Sequence, residues 1–362
     1  MKTIFFAAFL TVASIACGQN TYTLEDFFVY DAELEQKVDD YFDQMSDTAR
    51  VGQMIIPAAG GHGKPTEHIN GLIKRNFIGG ILLLNGTKEG FTEMVKDFSS
   101  LNSASGGLPL LYSADAEPSL IGYKIKGCSP VKKANLMISR EEVSTFANSI
   151  CNDLIDIGIN YNYAPVVDMS PNEVVSWRSF GDNPDTAQIW SQIFIEETQK
   201  RGIVATAKHF PGHGYVVGDT HKKLVYIDGE MKEVDNYTPL IKAGVLSIMV
   251  AHIAIKNNDE YNTNDMPSTV SRNIVTGLLK KKMGFKGLIV TDALNMGGVV
   301  NIPDCELKAA QAGCDLLLMP VDEEKAVKDI VTAIEEDEDF RKQVYASTRK
   351  IIRLKICLGI LQ

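Results

Sequence analysis

Asp219 and His221 stand two residues apart at the end of Lys208-His-Phe-Pro-Gly-His-Gly-Tyr-Val-Val-Gly-Asp-Thr-His221, a segment holding three of the six histidines. On an extended loop side chains at that spacing point the same way, so the carboxylate holds one imidazole nitrogen and leaves the other to exchange a proton. An imidazole suits both directions of that exchange near neutrality. A second carboxylate, Asp292, leaves an apolar strand in Gly287-Leu-Ile-Val-Thr-Asp-Ala-Leu-Asn-Met296. An Asp at a strand end caps a helix, or, facing a proton donor across one mouth, attacks a sugar's anomeric carbon to give a covalent glycosyl intermediate. Lys208 and Arg178 offer cationic donors to hydroxyl and carbonyl oxygens, and Asp115 accepts from sugar hydroxyls. Gly212, Gly214 and Gly218 mark the histidine segment as a mobile loop. His209 and His213 have the spacing of helical metal ligands, but Pro211 and Gly212 break such a helix and no zincin-type Glu follows, so neither a metal site nor a cofactor is expected. A lyase with Lys208 as Schiff base is open in principle.

These residues need a scaffold, and short apolar runs of strand length recur along the chain. They are Gly52–Pro57, Gly80–Leu84, Leu108–Tyr112, Ile159–Tyr163, Val204–Ala207, Val245–Val250, Leu288–Val290 and Asp315–Met319. Helix signals fall between them: the capping box Ser139-Arg-Glu-Glu142, Asn183 before Pro184, and a run from Ser271 to Gly284. Continuous rather than alternating apolar strands imply a parallel sheet covered on both faces. Eight strand–helix units predict an α/β fold, a single-domain (β/α)8 TIM-type barrel, with a first helix near Ala32–Met45 and a terminal one over Phe340–Leu358. An open doubly wound sheet is the rival. Asp115, Asp168, Lys208 with His209, His252 and Asp292 each follow a different strand, and only a closed barrel gathers all those ends at one mouth.

Composition bounds the partners. Lys and Arg total 36 against 46 Asp and Glu, a formal net charge of −10, with 45% apolar residues. A chain this apolar buries a sizeable core, and its acidic balance argues against a nucleic-acid partner. Residues 1–16 read as an export signal: a cationic start, an apolar run, then Ser14-Ile-Ala16 before Cys17. That ending resembles a bacterial lipoprotein signal, which makes Cys17 a lipidation site, a membrane anchor and the first residue of a periplasmic or outer-membrane lipoprotein; plain secretion is the alternative. Residues 17–30 form a polar leader and 31–362 the barrel. Five cysteines remain, an odd number, so at least one is a free thiol, with Cys314 in an apolar run.

The Lys208-His-Phe-Pro-Gly-His-Gly block and Asp219-Thr-His221, with Ala164-Pro-Val-Val-Asp168, Arg178-Ser-Phe-Gly181, Met249-Val-Ala-His252 and Val290-Thr-Asp-Ala-Leu294, resemble glycoside hydrolase family 3, and within it the β-N-acetylglucosaminidase branch. The resemblance runs from about residue 45 to 320. It implies a retaining mechanism with Asp292 as nucleophile and His221, oriented by Asp219, as acid/base. It also implies that Asp115, Arg178, Lys208 and His209 hold the sugar. The expected activity is removal of terminal β-linked N-acetylglucosamine from peptidoglycan fragments (muropeptides) or related amino-sugar glycosides. A phosphorylase and a non-catalytic sugar-binding lipoprotein are the alternatives.

Two departures stand out. Where the family has an Arg eight residues after the Asp matching Asp115, this chain has Tyr123; Lys124 or Lys126 substitutes only after a register shift, and with a point charge in place of a fork. After His221, Lys222-Lys-Leu-Val replaces an uncharged run, giving either an attraction for acidic leaving groups or a solvated face.

Overall fold

The computed structural model describes residues 22–169 and 171–362; the export signal and Cys17 lie outside the described residues. Eight parallel strands form the centre. β1 runs as Ile55–Ile56 and Ala58–Ala59 on either side of Pro57. β2 is Gly80–Leu83, β3 Leu111–Ala114, β4 Tyr161–Asn162 and β5 Val204–Phe210. β6 is Ser247–Val250, β7 Leu288–Thr291 and β8 Leu317–Leu318. Consecutive strands pair in parallel from β1 to β7. The ring closes because β8 pairs with β1, Ile55 opposite Leu317, while Leu316 bridges to Val290 of β7. Closure decides against the open sheet.

Every residue of β2, β3, β5, β6 and β7 is buried, as a sheet covered on both faces requires. A helix follows each strand. Ser139 accepts from Glu142 N at the start of Arg140–Ile157, and Asn183 caps Pro184–Lys200. The run opened by Ser271 becomes a helix over Asn273–Lys282, with the wider π pattern. The third strand lies further along than Leu108–Tyr112, because Pro109 has no N–H for the ladder.

The terminal helix, Glu338–Cys357, runs under the strand starts. Lys350 Nζ donates to Gly287 O, just before β7, and Lys355 Nζ to Gly79 O, just before β2. Arg353 on the same helix donates to the carbonyls of Asp26, Phe27 and Val29. The stretch read as a leader is therefore packed from Tyr22 onward, with Tyr22, Leu24 and Phe27 buried; those three apolar side chains outweigh its polar composition. The five cysteines after Cys17 are free thiols, and burial pushes Cys314 well above the usual thiol range.

Candidate active site

The strand C-termini surround a cavity of about 500 Å³ whose wall includes Asp115, Lys124, Arg178, Lys208, His209, Asp219, His221 and Asp292. The seven residues expected to act on or hold the sugar line this one mouth, whereas Asp168 and His252 lie buried behind it.

On one side lies an interlocked charge cluster. Asp115 follows β3, and Lys208, inside β5 rather than after it, reaches its Oδ1 at 3.0 Å. Lys208 Nζ also meets Glu117 Oε1 at 2.6 Å, and Arg178 spans both Glu117 oxygens at 2.8 and 2.6 Å. Burial alone would raise the Glu117 carboxyl, but Arg178 and Lys208 outweigh it and hold it well below the usual carboxylate range. Burial would likewise lower Lys208; Asp115 and Glu117 reverse the sign, so the ammonium stays charged. A protonated lysine clamped by two carboxylates is no amine nucleophile, which sets the Schiff-base reading aside. Glu117 was not among the expected site residues. Its signal was the second acid of Asp115-Ala-Glu117, which takes meaning only once β5 and the Arg178 loop meet it.

Behind the cluster, the His209 ring donates through Nδ1 to Asp168 Oδ2 at 2.6 Å, and Asp168 also accepts from the His209 and His213 backbone amides. The His213 ring is bonded by Asn172 and Thr220. The first part of the histidine loop, as far as Gly214, is packed and held from below by a buried carboxylate, whereas Tyr215 and Val217 further along are exposed. Glu233 accepts from Met169 N at 2.5 Å and from Gly214 N at 2.9 Å. A Cβ on Gly212 would sit 2.5 Å from the Glu233 side chain, and one on Gly214 would sit 2.0 Å from Met169 O. These glycines permit close approach. Burial first, then the neighbouring charge of Asp168, pushes Glu233 up to about 8.

Across the cavity, Asp292 follows β7 and is partly buried. Its Oδ1 accepts from Ala293 N at 2.8 Å. Burial would raise this carboxyl, but the His252 and His209 rings and the Ala293 N–H together keep it below the usual range, hence ionised near neutrality. His252 is fully buried, bonded to Thr269 Oγ1 and Ala293 O, and positions the turn behind Asp292. His221 is the exposed partner: its side chain is 62% exposed, and Nδ1 lies 2.7 Å from Asp219 Oδ1. The pairing arises from a turn, not an extended loop, since the same Asp219 oxygen accepts from His221 N at 2.9 Å in an Asx arrangement. With Nδ1 held, Nε2 is left to face a substrate.

The departures also resolve in part. Tyr123 is 69% exposed and outside the cavity wall, whereas Lys124 lines it. Lys126 belongs to a short strand, Ile125–Lys126, at the rim. Lys222, 81% exposed and 3.6 Å from Asp219, is a solvated charge outside the wall.

Residues 47–354 match the model of the glycosyl hydrolase family 3 N terminal domain. Beta-hexosaminidase A of Pseudoalteromonas piscicida is 28% identical over 328 residues, 78% of this chain and 54% of that protein. The chain thus spans about half the length of that curated relative. Two solved structures are similar at 25% identity: a family 3 β-N-acetylglucosaminidase from Paenibacillus sp. str. FPU-7, TM-score 0.78 over 87% of this chain and 63% of that one, and a β-N-acetylhexosaminidase from Beutenbergia cavernae DSM 12333, TM-score 0.76 over 85% and 98%.

Proposed function

Because the chain belongs to glycosyl hydrolase family 3, through its N-terminal domain, we propose that it is a β-N-acetylhexosaminidase that removes terminal β-linked N-acetylglucosamine, with peptidoglycan fragments as substrate. The observation that carries the reading is the pairing of exposed His221, held through Nδ1 by Asp219, with ionised Asp292 in the wall of the same cavity. Asp292 attacks the anomeric carbon as His221 gives its proton to the leaving oxygen; the glycosyl–Asp292 ester is then opened by water that His221 deprotonates. Asp115, Arg178, Lys208 and His209 hold the sugar. The names of the Pseudoalteromonas piscicida relative and of the Beutenbergia cavernae structure, 98% of whose chain is covered, support this reading.

The test is chromophore release from an aryl β-N-acetylglucosaminide by residues 18–362, beside the β-glucoside and Asp292→Ala. Turnover of the N-acetyl substrate alone, lost in a folded Asp292→Ala, is the expected result. Turnover retained in the variant removes Asp292 from the mechanism, and sugar binding without turnover points to the binding lipoprotein. His221 carries no negative charge as an acid/base, so inorganic phosphate meets no repulsion at the intermediate; sugar 1-phosphate formed in phosphate buffer would mark a phosphorylase. Export and lipidation at Cys17 complete the proposal. Labelling with a radioactive fatty acid is expected in the full chain and absent from Cys17→Ser.

A further inference from the structure

Near the start of the described chain, three consecutive large apolar side chains stand in water. Phe28 is 42% exposed, Val29 56% and Tyr30 79%, while Tyr22, Leu24 and Phe27 of the same stretch are buried. The backbone under them is fixed: Arg353 holds the carbonyls of Asp26, Phe27 and Val29, and Asp31 caps the next helix by accepting from Leu34 N at 2.8 Å. Phe28 shares a shallow hollow with Glu196, Lys200 and Gly244, where helices end ahead of β5 and β6, so the run lies on the strand-start side of the barrel. An exposed run of this kind is a cost to the fold unless something covers it.

The neighbouring chain does not provide the cover. Residues 18–21, Gly-Gln-Asn-Thr, bring no apolar side chain to it. A stable second copy would bury roughly 800 Å² on each partner, more than three side chains supply. A bilayer surface fits on two counts. First, the Tyr22 hydroxyl donates to Asp31 Oδ1 at 3.2 Å, so the point from which the chain runs back to Cys17 and the exposed run lie within a side chain's reach of each other. Cys17 is only five residues before Tyr22, and a lipid there brings the run to the headgroups. Second, Tyr30 joins an apolar ring to a polar tip, the combination that the membrane interface favours, with Phe28 and Val29 as apolar neighbours. Glu25, Asp26, Asp31 and Glu33 flank the run, so the contact is apolar and gains nothing from anionic lipid.

We infer that Phe28, Val29 and Tyr30 form the face by which the barrel rests on a lipid bilayer, seated where headgroups meet acyl chains. This rests on the reading of Cys17 as a lipidation site, and replaces a loose tether with a fixed contact.

The test uses the full chain, purified with its lipid and reconstituted into phosphatidylcholine vesicles, carrying Tyr30→Trp or, as a control near the mouth, Tyr123→Trp. Both positions are exposed, so neither change disturbs the core. The emission that Tyr30→Trp adds to that of wild type should move to shorter wavelength on reconstitution and be quenched when the acyl chains are brominated, at low and at raised salt alike. The emission added by Tyr123→Trp should do neither. Phe28→Ser and Val29→Ser, placed beside Tyr30→Trp, should restore most of the quenched emission. Quenching at both positions alike, or quenching at position 30 that vanishes in raised salt, overturns the contact. If no fatty-acid label reaches Cys17, the anchor reading falls and the contact with it; a labelled chain whose Tyr30→Trp emission is not quenched removes the contact alone.

Discussion

At the scale of the residue, the candidate site divides into groups held in one charge state and one imidazole left with a free nitrogen. Asp292 is held ionised and Lys208 protonated by neighbours that outweigh burial, while His221 reaches solvent with one nitrogen held. A general acid is worth most where the leaving group is poor. His221→Ala should lower kcat/KM on a sugar leaving group by about 10²–10⁴, while a dinitrophenyl leaving group, which departs without a proton, should keep far more of its rate. Equal losses on both would take His221 out of that role. Asp219, His221, Lys208 and Asp292 were legible in the sequence because each sits inside a short motif whose spacing has a local meaning. Glu117 and Glu233 were not, since the partners that give them a role come from other strands and loops, 61 residues away for Arg178 and Glu117.

At the scale of the element, the histidine loop shows how glycines take their role from a partner distant in sequence. Gly212 and Gly214 are in contact with Glu233, a residue 19 positions beyond Gly214, and no periodicity links them. Glu233 also sets a pH dependence. Its carboxyl is raised from 4.5 to about 8 in the folded chain, so the stability it contributes is fully present below about pH 4.5 and is lost as pH rises through 8. Glu233→Gln removes that titration, and its amide N–H faces one of the two backbone amides, at a cost of about 1–3 kcal/mol. The variant should therefore melt lower than wild type at pH 5, with the gap narrowing by pH 8.5. A gap that widens with pH would show that Glu233 is ionised in the folded chain. Element types and order were readable because buried parallel strands leave continuous apolar runs; their limits were not, as Pro109 shifted β3 and Lys208 and His209 proved to lie inside β5.

At the scale of the whole molecule, the barrel is closed from below by the terminal helix. Lys355, fully buried there with Gln53 Oε1 and Gly79 O as partners and no carboxylate among the described residues, is pushed by burial down to about 7. The unfolded chain holds that proton up to about pH 10.5, so the destabilisation is full below pH 7 and is relieved as pH climbs from there toward 10.5. Relative to Lys355→Met, wild type should gain melting temperature between pH 6 and pH 10; a difference independent of pH would mean the ammonium is neutralised by another route.

The clasp of Arg353 on Asp26, Phe27 and Val29 fixes where the described chain begins, which is on the face of the barrel opposite the mouth. Cys17 stands five residues before Tyr22, a tether of at most about 18 Å at roughly 3.5 Å per residue. A lipid at Cys17 would thus stand the barrel on the membrane like a cup on a saucer, rim upward. Such a cup would fill from the space above the bilayer and would be turned away from headgroups beneath it.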